Sequence, residues 1–166
     1  LQSAVRNALC AFAPAPTVLS LRDFHAENLI WRHNKNGMDR IGLLDFQDAF
    51  IAPAGYDLAS LLRDARRDIA ENTIQAMIAA FGAITDKPAG FPLQVAVLGI
   101  QRNLRILGIF ANLAKEHGKQ RYLAFLPRVW RHIMADLSHP ALSDLRQAVM
   151  DTLPAPTPTH LQRLRQ

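Results

Sequence analysis

The sequence predicts a mainly helical α+β fold in which a small β-hairpin lies on a helical bundle. Three observations predict it. Two short runs of strand-forming residues flank a polar turn that contains Asn36-Gly37. From residue 55 onward, apolar residues recur at helical spacing. Proline and glycine then cut this second part into pieces of ordinary helix length. A chain of 166 residues, 49% of them hydrophobic, is long enough and apolar enough to build one domain with its own core.

Residues 2–12 read as a helix, with Val5, Leu9 and Ala13 on one stripe, ended by the prolines at 14 and 16. Residues 17–22 (TVLSLR) read as a strand leading into Asp23, residues 28–32 (NLIWR) as a second, and residues 40–46 (RIGLLDF) as a third. Asp23 and Asn28 therefore precede one arm of the hairpin and Asp45 ends the other. YDLASLLRDARRD, from Tyr56, places Leu58, Leu61, Leu62 and Ala65 on one face. ENTIQAMIAAF repeats the pattern with Ile74, Met77, Ile78 and Phe81. After a break from Pro88 to Pro92, LQVAVLGIQRNLRILGIFANLAKEHG reads as a long helix apolar on several sides, hence buried, with Gly118 as its C-cap. Pro127 is expected to kink the next helix or start a new one, and Pro140 opens a last amphipathic helix. Residues 154–166 are proline-rich and read as a mobile tail.

Several classes of function are excluded or disfavoured by composition. There is no uninterrupted apolar run of about 18 residues, so no membrane span is expected. Cys10 is the lone cysteine, which forbids an internal disulfide and favours a reducing, cytoplasmic compartment. The net charge of +5 invites a nucleic-acid partner, but no basic run interleaved with aromatics occurs. Arg63, Arg66 and Arg67 alternate with Asp64 and Asp68 in the manner of a solvated helix face. A basic chain equally attracts phosphorylated small molecules. The first residue is Leu rather than Met, so a fragment is expected.

The chemistry is concentrated in residues 21–48. Asp23 and Asn28 stand five apart just after a strand, and Asp45 follows seventeen residues after Asn28 at the end of another. Phosphoryl transfer asks for one carboxylate to orient the attacking hydroxyl and for two oxygen donors to hold Mg²⁺ against the nucleotide phosphates. A loop carrying Asp and Asn, faced by a second Asp across a hairpin, supplies those groups. Arg22, Asp23 and Asn28 followed by Asp45, Phe46 and Gln47 also parallel the catalytic-loop and D-F-G signatures of protein kinases.

The strings LRDFHAENLIW, IGLLDFQDA, YDLASLLRDARRD and QRNLRILGIF, in that order, resemble the aminoglycoside-phosphotransferase and choline-kinase-like superfamily. They look most like its bacterial branch of anomeric kinases for N-acetylmuramate and N-acetylglucosamine. The resemblance covers about residues 5–145. It implies the C-terminal lobe of a protein-kinase-like fold over residues 1–153, with the hairpin carrying the catalytic loop and residues 154–166 as the tail. It implies Asp23 as catalytic base, Asn28 and Asp45 as Mg²⁺ ligands, and Asp57 as a brace for the loop. It also implies ATP or GTP as phosphate donor and a sugar or aminoglycoside hydroxyl as acceptor. The sequence departs from many members in reading Leu21-Arg22-Asp23 where they have H-G-D, and it has Gln47 where protein kinases have Gly. It shows neither a Gly-rich loop nor a strand lysine paired to a helix glutamate, so the chain alone is expected to be weakly active or inactive.

Each of these residues also has a plainer reading. Asp23 and Asn28 suit turns, and Asp57, ahead of an apolar helical stripe, suits an N-cap. Asp48 either caps the next segment or touches the substrate. Arg102, Asn103 and Arg105 interrupt a very apolar helix, where polar groups need partners, and an acceptor sugar is one candidate partner. His25 reads as packed or hydrogen-bonded, Cys10 as a small buried apolar residue, and Trp31 as core. A non-catalytic kinase-like binding module and a metal-dependent phosphohydrolase are the rival functions. The shortage of histidines near the acids argues against the second.

Overall fold

A computed structural model describes residues 1–84 and 90–165. Helix α1 (Gln2–Phe12) leads to strand β1 (Val18–Ser20), followed by β2 (Leu29–Trp31), β3 (Ile41–Leu43) and β4 (Phe50–Ala52). The rest is helical: α2 (Tyr56–Leu62), α3 (Glu71–Ile84), α4 (Phe91–Lys115), α5 (Leu126–Asp136), α6 (Ser143–Thr152) and α7 (Pro158–Arg163). The result is mainly helical α+β with small antiparallel sheets. No helix among the described residues is long and apolar enough to cross a membrane. The expected break at Pro88 lies outside the described residues.

The strands form two ladders. β2 pairs with β3, with Leu29 opposite Leu43 and Trp31 opposite Ile41. This is the expected hairpin, although its connection spans residues 32–40 and ends in a 3₁₀ turn (Gly37–Arg40) rather than a two-residue Asn-Gly turn. β1 pairs with β4, with Val18 opposite Ala52 and Ser20 opposite Phe50. β4 is a correction to the sequence reading, which ended the strands at residue 46. Phe50 and Ile51 are strand formers, but only three residues pair, between Ala49 and Pro53, too short a run to show alternation.

α4 is the spine of the bundle. Its N-terminal half joins Ala52, α2 and α3 in one apolar cluster, which includes Leu62, Ile74, Ile78 and Leu98. Its middle and C-terminal half join α1, α5 and α6 in another, around Ile100, Val129, Ile133 and Val149. Gly118, at φ 64°, turns the chain out of α4, and Lys119 N–H returns to the Leu113 carbonyl. Pro127 starts α5 instead of kinking a longer helix.

Five further expectations are corrected. α2 stops at Leu62, because Asp64 Oδ1 takes the Arg66 amide at 3.0 Å in a local turn that competes with helix. Asp64 is buried, so residues 63–68 are a packed connection and not a solvated helix face. Cys10 is exposed, because its position on α1 faces away from the stripe that packs on α4. Trp31 is 52% exposed on the outer side of its hairpin, where the Arg40 guanidinium lies 5.1 Å over its ring. The tail, read as mobile, carries α7, capped by Thr157 and packed through Leu161 and Leu164 on the larger cluster.

An ion network ties α2, α3 and α5 together. Arg63 donates to Asp136 Oδ1 from Nε at 2.9 Å and from Nη2 at 2.7 Å, and its Nη1 lies 3.4 Å from Glu71. Burial raises the pKa of Asp136 to about 6, although Arg63 pulls the other way. The folded chain thus binds this proton more tightly than the unfolded chain, and the stability it contributes is lost as pH rises through about 6. Going from pH 7 to pH 5, urea unfolding should show wild type gaining on the order of 1 kcal/mol relative to Asp136→Asn. A difference between the two that stays flat with pH would show that Asp136 titrates at an ordinary value.

Gly99 of α4 lies against the same carboxylate. A Cβ there would sit 2.9 Å from Asp136 Oδ2. Gly→Ala inside a helix ordinarily stabilises by about 1 kcal/mol, but overpacking at a fixed, buried ion pair costs about 1–3 kcal/mol. Gly99→Ala should therefore leave the chain no more stable and, at the upper end, about 2 kcal/mol less stable in the same assay.

Candidate active site

The two ladders hold the chemistry between them. β1 runs out into the loop that carries Asp23 and Asn28, and the β2–β3 hairpin returns the chain to Asp45 before β4 closes against β1. The hairpin register sets the approach of the two loops. The Leu44 amide donates to the Asn28 carbonyl at 2.9 Å, which brings residue 45 beside residue 28.

The backbone of both loops is held in an unusual shape. Arg22 has φ 72° and Asp45 has φ 57°, the only non-glycine residues at positive φ among those described. Each costs about 1 kcal/mol or more and persists only where surrounding contacts impose it. At Arg22 they are visible. Asp57, in the first turn of α2, accepts the Leu21 amide at 2.7 Å and the Arg22 amide at 3.2 Å, and Ser60 Oγ lies 3.5 Å from the Arg22 carbonyl. The N-cap of α2 is Gly55, not Asp57, so the carboxylate serves the loop and not its own helix. Burial pushes the Asp57 pKa up, and the two amide bonds act against that.

Asn28 joins the two loops. Its Nδ2 donates to the Asp23 main-chain carbonyl at 2.8 Å, lies 3.4 Å from Asp45 Oδ2, and stands 3.5 Å from His25 Nε2. Gln47 donates to the other oxygen of Asp45. Asp48 is exposed and pairs with Arg22 at 3.7 Å. Asn28 and Asp45 are residue types that can offer oxygen to a hard cation such as Mg²⁺, but Asn28 turns its Nδ2 toward Asp45 here, so ligation would require its amide to rotate and give up the bond to the Asp23 carbonyl. Among the described residues no group of three or more His, Cys, Asp and Glu forms a metal site. An ion here would therefore take its remaining ligands from phosphate and water, as Mg²⁺ commonly does.

A cavity of about 300 Å³ opens beside these groups. Asp23, His25 and Asp45 line it from the loops, and Arg66, Arg102 and Arg105 from the helical side. Arg102 is buried, and burial lowers its pKa. His25 is buried too, and desolvation, reinforced by Arg66, lowers its pKa, so the imidazole is neutral at pH 7. Asn103 is fully buried and does not line the cavity, because one step along a helix turns the side chain about 100° away from that of Arg102. Asp48 does not line it either. The sequence reading missed Arg66, which pairs with Glu27 at 2.8 Å and Asp64 at 3.5 Å. Only the early end of α2 brings it here, and no local pattern announces that end.

The sequence pattern of the phosphotransferase enzyme family matches residues 1–91, which include both loops and Asp57. The chain belongs to the phosphotransferase enzyme family. Among curated members, it is 42% identical over 133 residues to the N-acetylmuramate/N-acetylglucosamine kinase of Caulobacter vibrioides, a match covering 78% of this chain and 36% of the relative. It is 33% identical over 141 residues to the kinase of the same name from Neisseria meningitidis, covering 80% and 40%. It is 32% identical over 151 residues to that of Pseudomonas aeruginosa, covering 85% and 42%. The chain thus spans about two fifths of the length of these phosphotransferase relatives.

Removing the Asp57 carboxylate strands two part-buried amides, at about 1–3 kcal/mol for each donor left without a partner. Asp57→Ala should lower the urea unfolding free energy by about 2 kcal/mol or more, and amide exchange at Leu21 and Arg22 should speed up ahead of the bundle. Unchanged exchange at those two amides would mean that the loop holds its shape without the brace.

Proposed function

We propose that this chain is the catalytic lobe of a sugar kinase, which transfers the γ-phosphate of ATP or GTP to a hydroxyl of an N-acetylated amino sugar. The observation that carries the reading is the Asn28 side chain, set between the Asp23 backbone and the Asp45 carboxylate at the edge of a cavity that both aspartates line. The relatives' names supply the acceptor class, since each is an N-acetylmuramate/N-acetylglucosamine kinase. An aminoglycoside acceptor, the other one the resemblance implies, has no such support.

In this reading Asp23 takes the proton of the sugar hydroxyl as its oxygen attacks the γ-phosphorus. The new O–P bond forms as the bond to the β-phosphate oxygen breaks, and the nucleoside diphosphate leaves. Asn28 and Asp45 would hold Mg²⁺, which when bound neutralises charge on the phosphoryl oxygens. Asp57 keeps the Asp23 loop in its left-handed turn, so the base is in place before the substrate arrives. Neutral His25 stacks no further positive charge beside the metal ligands. Arg102 reaches the acceptor from α4, while Asn103, one position on, supports the helix interior.

The test is phosphate transfer to N-acetylmuramate and N-acetylglucosamine by a chain carrying the rest of a relative's length. Asp23→Ala should lower kcat by about 10²–10⁴-fold, the usual share of a general base, with nucleotide affinity little changed. Near-normal turnover in this variant would end the assignment of Asp23 as base.

A further inference from the structure

The cavity beside Asp23 holds a buried cation that Asp23 and Asp64 favour from a distance but do not meet in an ion pair. Arg102 is 95% buried, and among the described residues it makes no hydrogen bond and no ion pair. Its Nη1 is sealed from solvent without a partner, and Arg102 is one of the residues that line the cavity. A buried cation in this state is costly, and folded proteins ordinarily pair it. The other cations at the cavity are disposed differently. Arg66 is already committed to Glu27 and Asp64. Arg105, one helical turn beyond Arg102, is exposed at the rim and has no ion pair among the described residues. The same face of α4 continues with Ile106 and Ile109, which also line the cavity. Positions 102, 105, 106 and 109 share one side of a helix, so the α4 wall offers two guanidinium groups followed by an apolar strip.

Such a wall fits a ligand that carries an oxyanion next to an apolar group. In a sugar kinase the nucleotide always bears oxyanions, and the acceptor does so where the sugar carries an acid group. The metal-side donors Asn28 and Asp45 belong to the loops, and the phosphates go where the metal is. The α4 wall is left for the acceptor. We propose that Arg102 and Arg105 form an oxyanion subsite for a carboxylate on the acceptor sugar, and that this subsite sets the preference among N-acetylated sugars. The proposal rests on the sugar-kinase reading and adds to it the charge of the preferred substrate. Guanidinium–carboxylate pairs are strong and directional when partly desolvated, which suits Arg102 more than a lysine. The neighbouring isoleucines would take the small apolar groups flanking the carboxylate.

Two sugars isolate the effect. N-acetylmuramate is N-acetylglucosamine with a lactyl ether, which adds one carboxylate and one methyl. Calorimetric titration of the 166-residue chain with each sugar, and with inorganic phosphate, gives the comparison without requiring turnover. The wild-type chain should bind N-acetylmuramate about tenfold or more tightly than N-acetylglucosamine, the size of one good charge-assisted contact. Arg102→Gln should shrink that ratio to within about twofold, and Arg102→Lys should keep part of it. Arg105→Gln, at an exposed position where folding is not at stake, should lower the ratio by a smaller factor.

The outcomes that overturn the proposal are distinct. A ratio that survives in a folded Arg102→Gln chain and in Arg105→Gln removes the subsite. Loss of phosphate binding in Arg102→Gln with the sugar ratio intact gives the anion to the nucleotide instead. Equal binding of both sugars by wild type removes the subsite and leaves the kinase reading to the Asp23 experiment. Binding of neither sugar removes the amino-sugar acceptor and the subsite together.

Discussion

Two hydrogen bonds accepted by one carboxylate hold the candidate site together. Asp57 takes the amides of Leu21 and Arg22 and so fixes a left-handed turn at a residue type that avoids it. The bonds reach back 36 and 35 residues, so they cannot form until α2 is seated. α2 is seated by Tyr56, Leu58, Ala59 and Leu62, which are buried against α3, α4 and Ala52. Bundle packing is therefore converted, through a single side chain, into the direction in which the Asp23 loop leaves β1.

The second loop is positioned by different means. Among the described residues nothing from the bundle braces Asp45, whose positive φ is set at the end of a hairpin three pairs long. Its side chain is held by neighbours, Asn28 from across the ladder and Gln47 from two residues on. The carboxylate is exposed, so the desolvation cost of a charge that closes an apolar run does not arise. Leu43, Leu44 and Phe46 around it are also exposed. One half of the site is thus anchored in the core and the other stands at the surface. A cation shared by Asn28 and Asp45 would link the two halves.

Much of this was legible in the residues because it rests on local rules. α1, the β2–β3 hairpin, α3, α4 and the start of α5 at Pro127 each carry periodicity or punctuation within their own span. The grouping of Asp23, Asn28 and Asp45 followed from strand ends and spacing. What was not legible depends on distant partners. The end of α2 at Leu62 is decided by the buried Asp64 and by Arg63 reaching Asp136, 73 residues on. No helix-breaking residue marks it. Arg66 reaches the cavity only as a consequence. Residue type alone predicts burial for Trp31 and Cys10, but exposure is a property of which face meets the bundle. α7 has an N-cap threonine, a first-turn proline and one leucine, with a second at its C-cap, yet six residues are too few for periodicity to stand out from a proline-rich run.

The two tryptophans divide the molecule between them. Trp130 packs on the larger apolar cluster, while Trp31 stands half in water on the hairpin strand that begins next to Asn28. Their emission is therefore a sum of two unlike signals. The part accessible to a water-soluble quencher reports on the hairpin, and the shielded part reports on the bundle. Light alone can follow the surface half of the site separately from the core that supports the other half.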